Sequence, residues 1–161
     1  MKKWLFALTV TLCAAGFPAR ADFVAGAQAY DSGDYKTAFA EWSALAKSGH
    51  AGAQVALAGL YRHGSGRDHD MVKAAYWYRR AAEQGDVIGQ LNLGEFHLTG
   101  AGVKRDPVEA YMWLSLSAAR GNDWAAAKRN ELSVHLTRDQ LSRAMTRVNA
   151  WRPRLPANAG H

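Results

Sequence analysis

Apolar residues recur three or four positions apart in several segments of this chain, which is the spacing of one face of an α-helix. In two consecutive segments they are Val55, Leu57, Leu60 and Tyr61, and then Leu91, Leu93, Phe96 and Leu98. No segment shows the two-residue alternation, rich in Val, Ile and Thr, that is typical of a half-buried β-strand. The pattern therefore predicts an all-α protein without strands.

The pattern itself repeats every 36 residues. Small, aromatic and glycine positions keep this register: Ala38, Ala74 and Ala110; Ala46, Ala82 and Ala118; Gly49, Gly85 and Gly121; Leu57 and Leu93; Trp77 and Trp113. A fixed period of this length indicates a repeat architecture, in which each unit buries its apolar side against the next. We expect Trp77 and Trp113 to fill the space between neighbouring units, each burying about 200 Å².

Helix start and stop signals divide each unit into a first and a second helix. Asp106 stands before Pro107, and Asp70 takes the same place in the preceding unit, so both are expected to cap second helices. Near the end of the chain, Thr137 and Gln140 form a capping box that predicts one more helix. Small residues mark where the two helices of a unit are expected to approach closely: Ala58, Gly94, Ala74 and Ala110.

Four segments carry a family resemblance: LAGLYRHGSG, KAAYWYRRAAEQG, LGEFHLTGAGVKRD and EAYMWLSLSAARG. They resemble the Sel-one-like repeat (SLR) family, a branch of the tetratricopeptide-like helical repeats. The resemblance implies an all-α right-handed α-solenoid of about eight helices, built from stacked antiparallel hairpins. It also implies a protein that binds other proteins rather than an enzyme.

The predicted repeat domain covers residues 22–152. A degenerate first repeat at 22–50 is followed by two full repeats at 51–86 and 87–122. Capping helices at 123–152 close the domain, because a terminal repeat must present a polar outer surface to water. Residues 153–161 are expected to form a loose tail.

The first 21 residues are predicted to be a cleavable signal peptide rather than part of the fold. Two lysines precede an apolar run at 4–17 and an Ala-Arg-Ala ending, with cleavage after Ala21. A lipoprotein reading would use Cys13, but the residue before this cysteine is a leucine where a small residue is expected. We therefore expect a periplasmic or secreted protein.

Processing also changes the composition. Cys13 is the only cysteine, so the processed chain cannot form a disulfide, a thiolate nucleophile or a cysteine metal site. Removing Lys2, Lys3 and Arg20 from the 20 basic residues leaves 17 against 14 acidic residues, a net charge of +3. This balance argues against nucleic acid as a partner.

The stretch GSGRDHD, residues 64–70, looks most like a ligand loop. His63, Asp68, His69 and Asp70 have side chains that bind metals. Its counterpart 36 residues later is GAGVKRD, which keeps both glycines and the last aspartate but none of the other candidate ligands. We therefore expect a structural turn, with no metal and no cofactor.

Two further functions stay open. Cysteine-rich relatives are linked to β-lactam or peptidoglycan chemistry, which suggests a hydrolase, although this chain lacks their cysteines. Residues 128–154 hold seven basic residues against Glu131 and Asp139, which suggests weak contact with an anionic envelope surface or a cell-wall glycan.

The leading hypothesis is an exported, monomeric scaffold that binds a partner protein or peptide. By resemblance, the first helix of each unit lines the concave side of the solenoid. Five polar residues on these helices are the candidate partner-binding residues: Arg62, Asn92, Glu95, Lys128 and Glu131. Glu95 and Glu131 occupy the same repeat position. A ladder of polar side chains there suits an extended peptide or a partner helix.

Overall fold

The computed structural model describes residues 21–154, whose regular structure consists of eight α-helices. They are α1 Phe23–Asp31, α2 Tyr35–Lys47, α3 Ala51–His63, α4 Met71–Glu83, α5 Val87–Thr99, α6 Pro107–Ala118, α7 Asp123–Ser133 and α8 Arg138–Ala150. The described residues contain no strand, so the predicted all-α class and helix number are confirmed. The predicted signal peptide lies outside the described residues, apart from Ala21. None of the helices in the described range is long and apolar enough to span a membrane.

The helices stack in chain order. From α1 to α7, each helix packs against the next one, both within a hairpin and from one hairpin to the following hairpin. The last helix departs from this order, because α8 packs mainly against α6 and contacts α7 little. The result is a solenoid whose C-terminal end is closed by α8, which packs on α6, the last of the second helices.

Helix starts recur with the 36-residue period. Asp34, Asp70 and Asp106 cap α2, α4 and α6, each accepting a hydrogen bond from the backbone N–H three residues later. His50, Asp86 and Asn122 cap α3, α5 and α7 in the same way. Such a cap stabilises a helix by about 1 kcal/mol. The capping roles predicted for Asp70, Asp106 and Thr137 are confirmed.

Small residues let the helices approach closely. Ala58, Ala74 and Ala110 are fully buried. A Cβ atom added to Gly94 would lie 2.8 Å from Cγ of Leu114 on the facing helix, which leaves no room for a side chain. The close approach expected within each hairpin is therefore present.

Two buried glutamines join consecutive hairpins. Gln54 on α3 and Gln90 on α5 are 36 residues apart and fully buried. The side-chain amide of Gln54 donates to the carbonyl of Ala46 on α2, and that of Gln90 donates to Ala82 on α4. Each first helix is thereby tied to the end of the preceding second helix. The apolar pattern of the sequence does not predict this contact, because glutamine is a polar residue.

The loops at 64–70 and 100–106 hold the hairpins in register. Gly66 and Gly102 have φ angles of +69° and +64°, which favour glycine. An added Cβ on Gly66 would collide with Tyr35 at the start of α2, and one on Gly102 with Met71 at the start of α4. Both loops are therefore packed structural turns. In the described part of the chain, no group of three or more His, Cys, Asp or Glu residues is arranged to hold a metal ion.

His97 on α5 anchors the second of these loops. Its buried ring has Nδ1 3.3 Å from the Lys104 carbonyl oxygen and Nε2 3.4 Å from the Arg79 guanidinium. A neutral ring that donates from Nδ1 to Lys104 and accepts at Nε2 from Arg79 satisfies both contacts. Burial lowers the pKa of His97, and Arg79 acts in the same direction, while Glu109 opposes them.

The two predicted core tryptophans differ in burial. Trp113 is 4% exposed and donates its indole N–H to Glu109, whereas Trp77 is only half-buried. Both tryptophans pack on the main core, as expected, but they are not buried to the same extent. The reason is the closing helix: α8 packs against α6, the helix that carries Trp113. Among the eight described helices, none outside the repeat order packs in this way against α4.

The chain after α8 folds back over the stack. Trp151 packs on the main core, and the Arg154 backbone N–H donates to the Glu83 carbonyl at the end of α4, at 2.7 Å. The Arg154 side chain also lies 3.7 Å from the Glu83 carboxylate. The predicted loose tail begins at 153, so its first two residues are docked, contrary to that expectation. Residues 155–161 lie outside the described residues.

Substitution of the two tryptophans should therefore have unequal effects. We expect Trp113→Ala to lower the free energy of unfolding by about 3–5 kcal/mol, because it leaves a cavity in the core. Trp77→Ala should cost about 1–2 kcal/mol, because its ring buries less area. Urea denaturation followed by circular dichroism measures both values. Equal losses, or a loss below about 1 kcal/mol for Trp113→Ala, would contradict this description of the core.

His97 should make the stability of the fold depend on pH. The folded pKa of His97 is lowered from its ordinary value of 6.5, so the unfolded chain binds more protons as the pH falls. The contribution of the neutral His97 ring to the free energy of unfolding is complete above pH 6.5 and is lost as the pH falls below that value. We expect the free energy of unfolding to fall between about pH 7 and pH 5. His97→Tyr, which copies Tyr61 at the equivalent position, should flatten this dependence.

The control for the pH experiment is His69→Gln, since His69 is exposed in a loop. This variant should keep the wild-type pH dependence. Denaturant titrations at four or five pH values compare the three proteins. An identical slope for wild type and His97→Tyr would show that His97 does not carry the effect.

Candidate functional site

One face of the first helices is left for solvent. Residues at i, i+4, i+7 and i+11 share this face, and they recur in the 36-residue register. The three rows are Gly52, Ala56, Gly59 and His63 on α3; Ile88, Asn92, Glu95 and Thr99 on α5; and Trp124, Lys128 and Glu131 on α7, continued by His135 in the turn after this helix. We call this surface, together with Arg62, the first-helix face. Its residues are exposed or half-buried except Asn92, which is 9% exposed.

A chain of polar contacts crosses the first-helix face from α3 to α7. The Arg62 guanidinium donates to the Asn92 side-chain oxygen at 2.5 Å and lies 3.9 Å from the Glu95 carboxylate. On its other side, Glu95 accepts from the indole N–H of Trp124 at 3.4 Å. The Lys128 ammonium stands 5.6 Å from the centre of the Trp124 ring. Four of the five candidate residues are therefore linked, through a tryptophan that the sequence analysis did not single out.

Two neighbouring cavities lie along this chain of contacts. The first, of about 260 Å³, is lined by Arg62, Glu95 and Lys128 together with apolar side chains such as Phe96 and Leu98. The second, of about 270 Å³, is lined by Lys128 and Glu131 with Arg105, Leu132 and His135. Leu98, Thr99 and Lys128 line both. The structure thus places the fifth candidate, Glu131, in a cavity that adjoins the one around Glu95.

A third cavity, of about 290 Å³, lies at the N-terminal end of the first-helix face. Aromatic and aliphatic side chains dominate its lining: Tyr30, Trp42, Val55, Ala56, Leu60, Tyr78 and Ile88, with Gly59, His63 and Asn92. This cavity was not predicted from the sequence. One signal was available, because Gly59 occupies the repeat position that holds glutamate at 95 and 131.

The charges of the face are partly compensated. Arg62 and Glu95 lie close to each other, whereas no ion pair in the described part of the chain involves Lys128, Arg105 or Glu131. Burial raises the pKa of the Tyr78 hydroxyl beneath Arg62, which keeps this group neutral. The face therefore offers apolar surface at one end and unpaired charges at the other.

Two serines whose hydroxyl groups could in principle act as nucleophiles lie away from this face. Ser43 on α2 and Ser115 on α6 occupy equivalent positions on second helices. Both hydroxyl groups are buried and have no hydrogen-bond partner in the described part of the chain. Glu41, Glu83 and Glu109 also lie on second helices, where they accept hydrogen bonds or pair with arginines. These groups contribute to the structure of the second-helix layer.

The basic end of the chain is less strongly positive than its sequence suggests. Arg143 pairs with Asp139 on its own helix. Arg147 pairs with Glu109 on α6, and Arg154 lies near Glu83 on α4. Three of the seven basic residues between 128 and 154 are therefore engaged with carboxylates of the protein.

The comparisons with known proteins agree with this architecture. The Sel1 repeat family model matches residues 51–86 and 87–122. Among solved structures, c5321, a protective antigen of uropathogenic Escherichia coli strains with an SLR fold, matches with a TM-score of 0.75 and 32% identity. The match covers 78% of this chain and 28% of that protein.

A Sel1 repeat protein from Oxalobacter formigenes matches with a TM-score of 0.67 and 26% identity, over 81% of this chain and 56% of that one. The chain thus spans about a quarter to a half of the length of these solved relatives. No curated protein matches the sequence. The family match falls on the two hairpins that carry Arg62, Asn92 and Glu95. Residues 51–122 are therefore a pair of Sel1 repeats, and the chain is a Sel1-repeat protein with the SLR fold.

Proposed function

We propose that this protein is an exported, non-enzymatic scaffold that binds a partner protein or peptide on the first-helix face. The observation that carries the proposal is the chain of contacts from Asn92 and Arg62 through Glu95 and Trp124 to Lys128. It joins three repeats across a surface that none of the helices in the described range covers. Sel1 repeats generally mediate protein–protein interaction, which supports the same reading.

The face has the size and the composition of a binding surface. The helices α3 and α5 have 13 residues each and α7 has 11, so they are about 17–20 Å long, and three helices side by side are about 30 Å wide. This gives about 600 Å², close to the roughly 800 Å² that one partner contributes to a stable interface. Arginine and tryptophan, the side chains that most often dominate binding energy, both belong to this face. The polar contacts already hold these side chains in place, so their ordering adds little entropic cost on binding.

Export is supported by the fit between the expected cleavage site and the fold. Cleavage after Ala21 would leave Asp22 as the first residue, and Asp22 is the N-cap of α1. Its backbone nitrogen donates to the Glu41 carboxylate at 2.8 Å. After cleavage this nitrogen becomes an ammonium group, which attracts a carboxylate more strongly than an amide does. The processed chain would therefore keep its first helix cap, and we place its role in envelope assembly, secretion or host contact.

Binding to an anionic surface through the C-terminal helix is less well supported, because three of the basic residues in that region are engaged with carboxylates. A hydrolase of the kind linked to cysteine-rich relatives also lacks a supporting observation. Ser43 and Ser115 are buried on second helices, and the buried His97 holds a loop. We expect a monomer, since partner binding on one face needs no second copy.

A photo-cross-linking experiment tests where the partner binds. A benzoylphenylalanine residue replaces Glu131 on the first-helix face, and in the control it replaces Ala44, which is exposed on α2. The full chain is expressed in its native cells and irradiated. We expect the variant at 131 to form a defined adduct of one partner, and the variant at 44 to form none. Equal adducts from both positions, or no adduct from 131, would contradict binding on this face.

N-terminal sequencing tests export separately. The full-length precursor is expressed in a bacterial host, and the envelope fraction is compared with the cytosol. We expect a processed protein in the envelope fraction whose first residue is Asp22. Replacing Ala19 and Ala21 by arginine is the control, because it removes the small residues that the cleavage site requires. An unprocessed cytosolic product from the wild-type sequence would refute export.

A further inference from the structure

We propose that the cavity over Gly59 is the anchor pocket for the partner. It would take one large apolar side chain of a peptide segment, while an acidic side chain of the same segment lies over Lys128 and Arg105. This inference rests on the proposed function and adds the chemistry of the partner.

The fold itself gives no reason for a glycine at position 59. Gly59 lies inside α3, where glycine destabilises a helix relative to alanine. An added Cβ atom would meet no atom of residues 21–154 within 4 Å. By contrast, an added Cβ on Gly89 would lie 2.8 Å from the Ala81 side chain, and one on Gly94 would lie 2.8 Å from Leu114. Packing therefore requires glycine at 89 and 94 but not at 59.

The missing side chain opens the cavity. In the next two repeats, Glu95 and Glu131 occupy the same position and carry charged side chains onto the face. At Gly59 the space above the helix stays empty and leads down to Trp42, Leu60 and Tyr78, which are 6%, 0% and 4% exposed. An enclosed apolar cavity of about 150 Å³ already accepts a benzene ring. A cavity of about 290 Å³ has room for one large aliphatic or aromatic side chain.

The rim and floor of this cavity suit an apolar group. Tyr30 and Ile88 form an exposed apolar rim, at 37% and 46% exposure. The indole N–H of Trp42 donates to the Phe23 carbonyl at 3.2 Å, so this polar atom is already used. An apolar side chain that fills the pocket and displaces water therefore does not leave the indole N–H without a hydrogen-bond partner.

The other end of the first-helix face determines the charge of the occupant. Two cations, Lys128 and Arg105, line the second cavity with a single carboxylate, Glu131. No ion pair within residues 21–154 involves either cation. No lysine, arginine or carboxylate among the described residues lines the Gly59 cavity. The complementary partner is therefore apolar at the α3 end and acidic at the α7 end.

The spacing of the two groups follows from the stack. The helices α3 and α7 lie on either side of α5, so with helix diameters of about 10 Å their axes are about 20 Å apart. An extended peptide advances about 3.3 Å per residue. The apolar anchor and the acidic residue of an extended partner should then be about five or six residues apart.

The first test needs no ligand. Gly59→Ala should raise the melting temperature of the protein by about 3 °C, because alanine is the better helix former and its Cβ meets no atom. Gly94→Ala is the matched control and should lower the melting temperature, since its Cβ would clash with Leu114. A lower melting temperature for Gly59→Ala would show that the fold needs this glycine, and would overturn the proposal.

The second test uses a library of random dodecamer peptides displayed on phage and selected against the processed chain. We expect enriched peptides to share a large apolar residue and an acidic residue about five or six positions away. Binding of synthetic peptides is then measured by fluorescence anisotropy. Gly59→Glu, which copies the glutamate of the next two repeats, should weaken binding at least tenfold. Lys128→Glu should weaken it severalfold, and Ala44→Glu, on the exposed side of α2, should leave it unchanged.

The outcomes separate this inference from the proposed function. If Gly59→Glu leaves peptide affinity unchanged while cross-linking from position 131 persists, the anchor pocket is wrong and the binding face stands. If no peptide is enriched, or if enriched peptides lack an apolar residue, the inference is also overturned. A concentration-dependent dimer that competes with the peptides would identify a second copy as the occupant and refute a peptide partner. Loss of both cross-linking and peptide binding would refute the proposed function itself.

Discussion

The close contact between the second helix of one hairpin and the first helix of the next holds this structure together. At this contact the backbones come so near that an added Cβ on Gly89 would lie 2.9 Å from the amide nitrogen of Ala82. Because the helices lie this close, the Gln90 side-chain amide can donate to the Ala82 carbonyl. One hairpin earlier, Gln54 donates to the Ala46 carbonyl in the same way. Buried polar side chains of this kind are costly unless they are bonded, so they select one relative placement of the two helices.

This contact also decides which surfaces remain available. Each first helix is covered by its own second helix and by the second helix before it, which leaves one face open on α3, α5 and α7. The 36-residue period then brings equivalent positions side by side, so that a row along one helix is continued on the next. Arg62, Glu95 and Lys128 meet on this face although they are far apart in sequence. A binding surface therefore follows from the stacking and does not need a specialised loop.

Much of the fold could be predicted from the sequence, because its signals are local and repeated. The Asp70 and Asp106 caps and the small residues Ala58 and Ala110 each appear at a fixed repeat position. The end of the solenoid could not be predicted in the same way. There α8 packs on α6, and Trp151 and Arg154 reach back to the core and to Glu83 through contacts that no repeat specifies.

The candidate site was predictable only in part, for a related reason. Glu95 and Glu131 could be assigned to one surface because they occupy the same position in their repeats. Helical periodicity then assigns Asn92 and Lys128, one turn earlier, to the same surface. The bond from Trp124 to Glu95 and the cavity over Gly59 depend on how far apart neighbouring helices lie, which the sequence does not give. A glycine where the other repeats have glutamate was the single available signal. Its meaning became clear only when the surrounding space was known.

A structure of the chain bound to its natural partner would test the central claim most directly. The account predicts that the partner lies across α3, α5 and α7, contacts Arg62 and Lys128, and leaves the outer surface of α2 and α4 in water. A partner seated on the second helices, or one that separates the hairpins instead of binding across them, would contradict it.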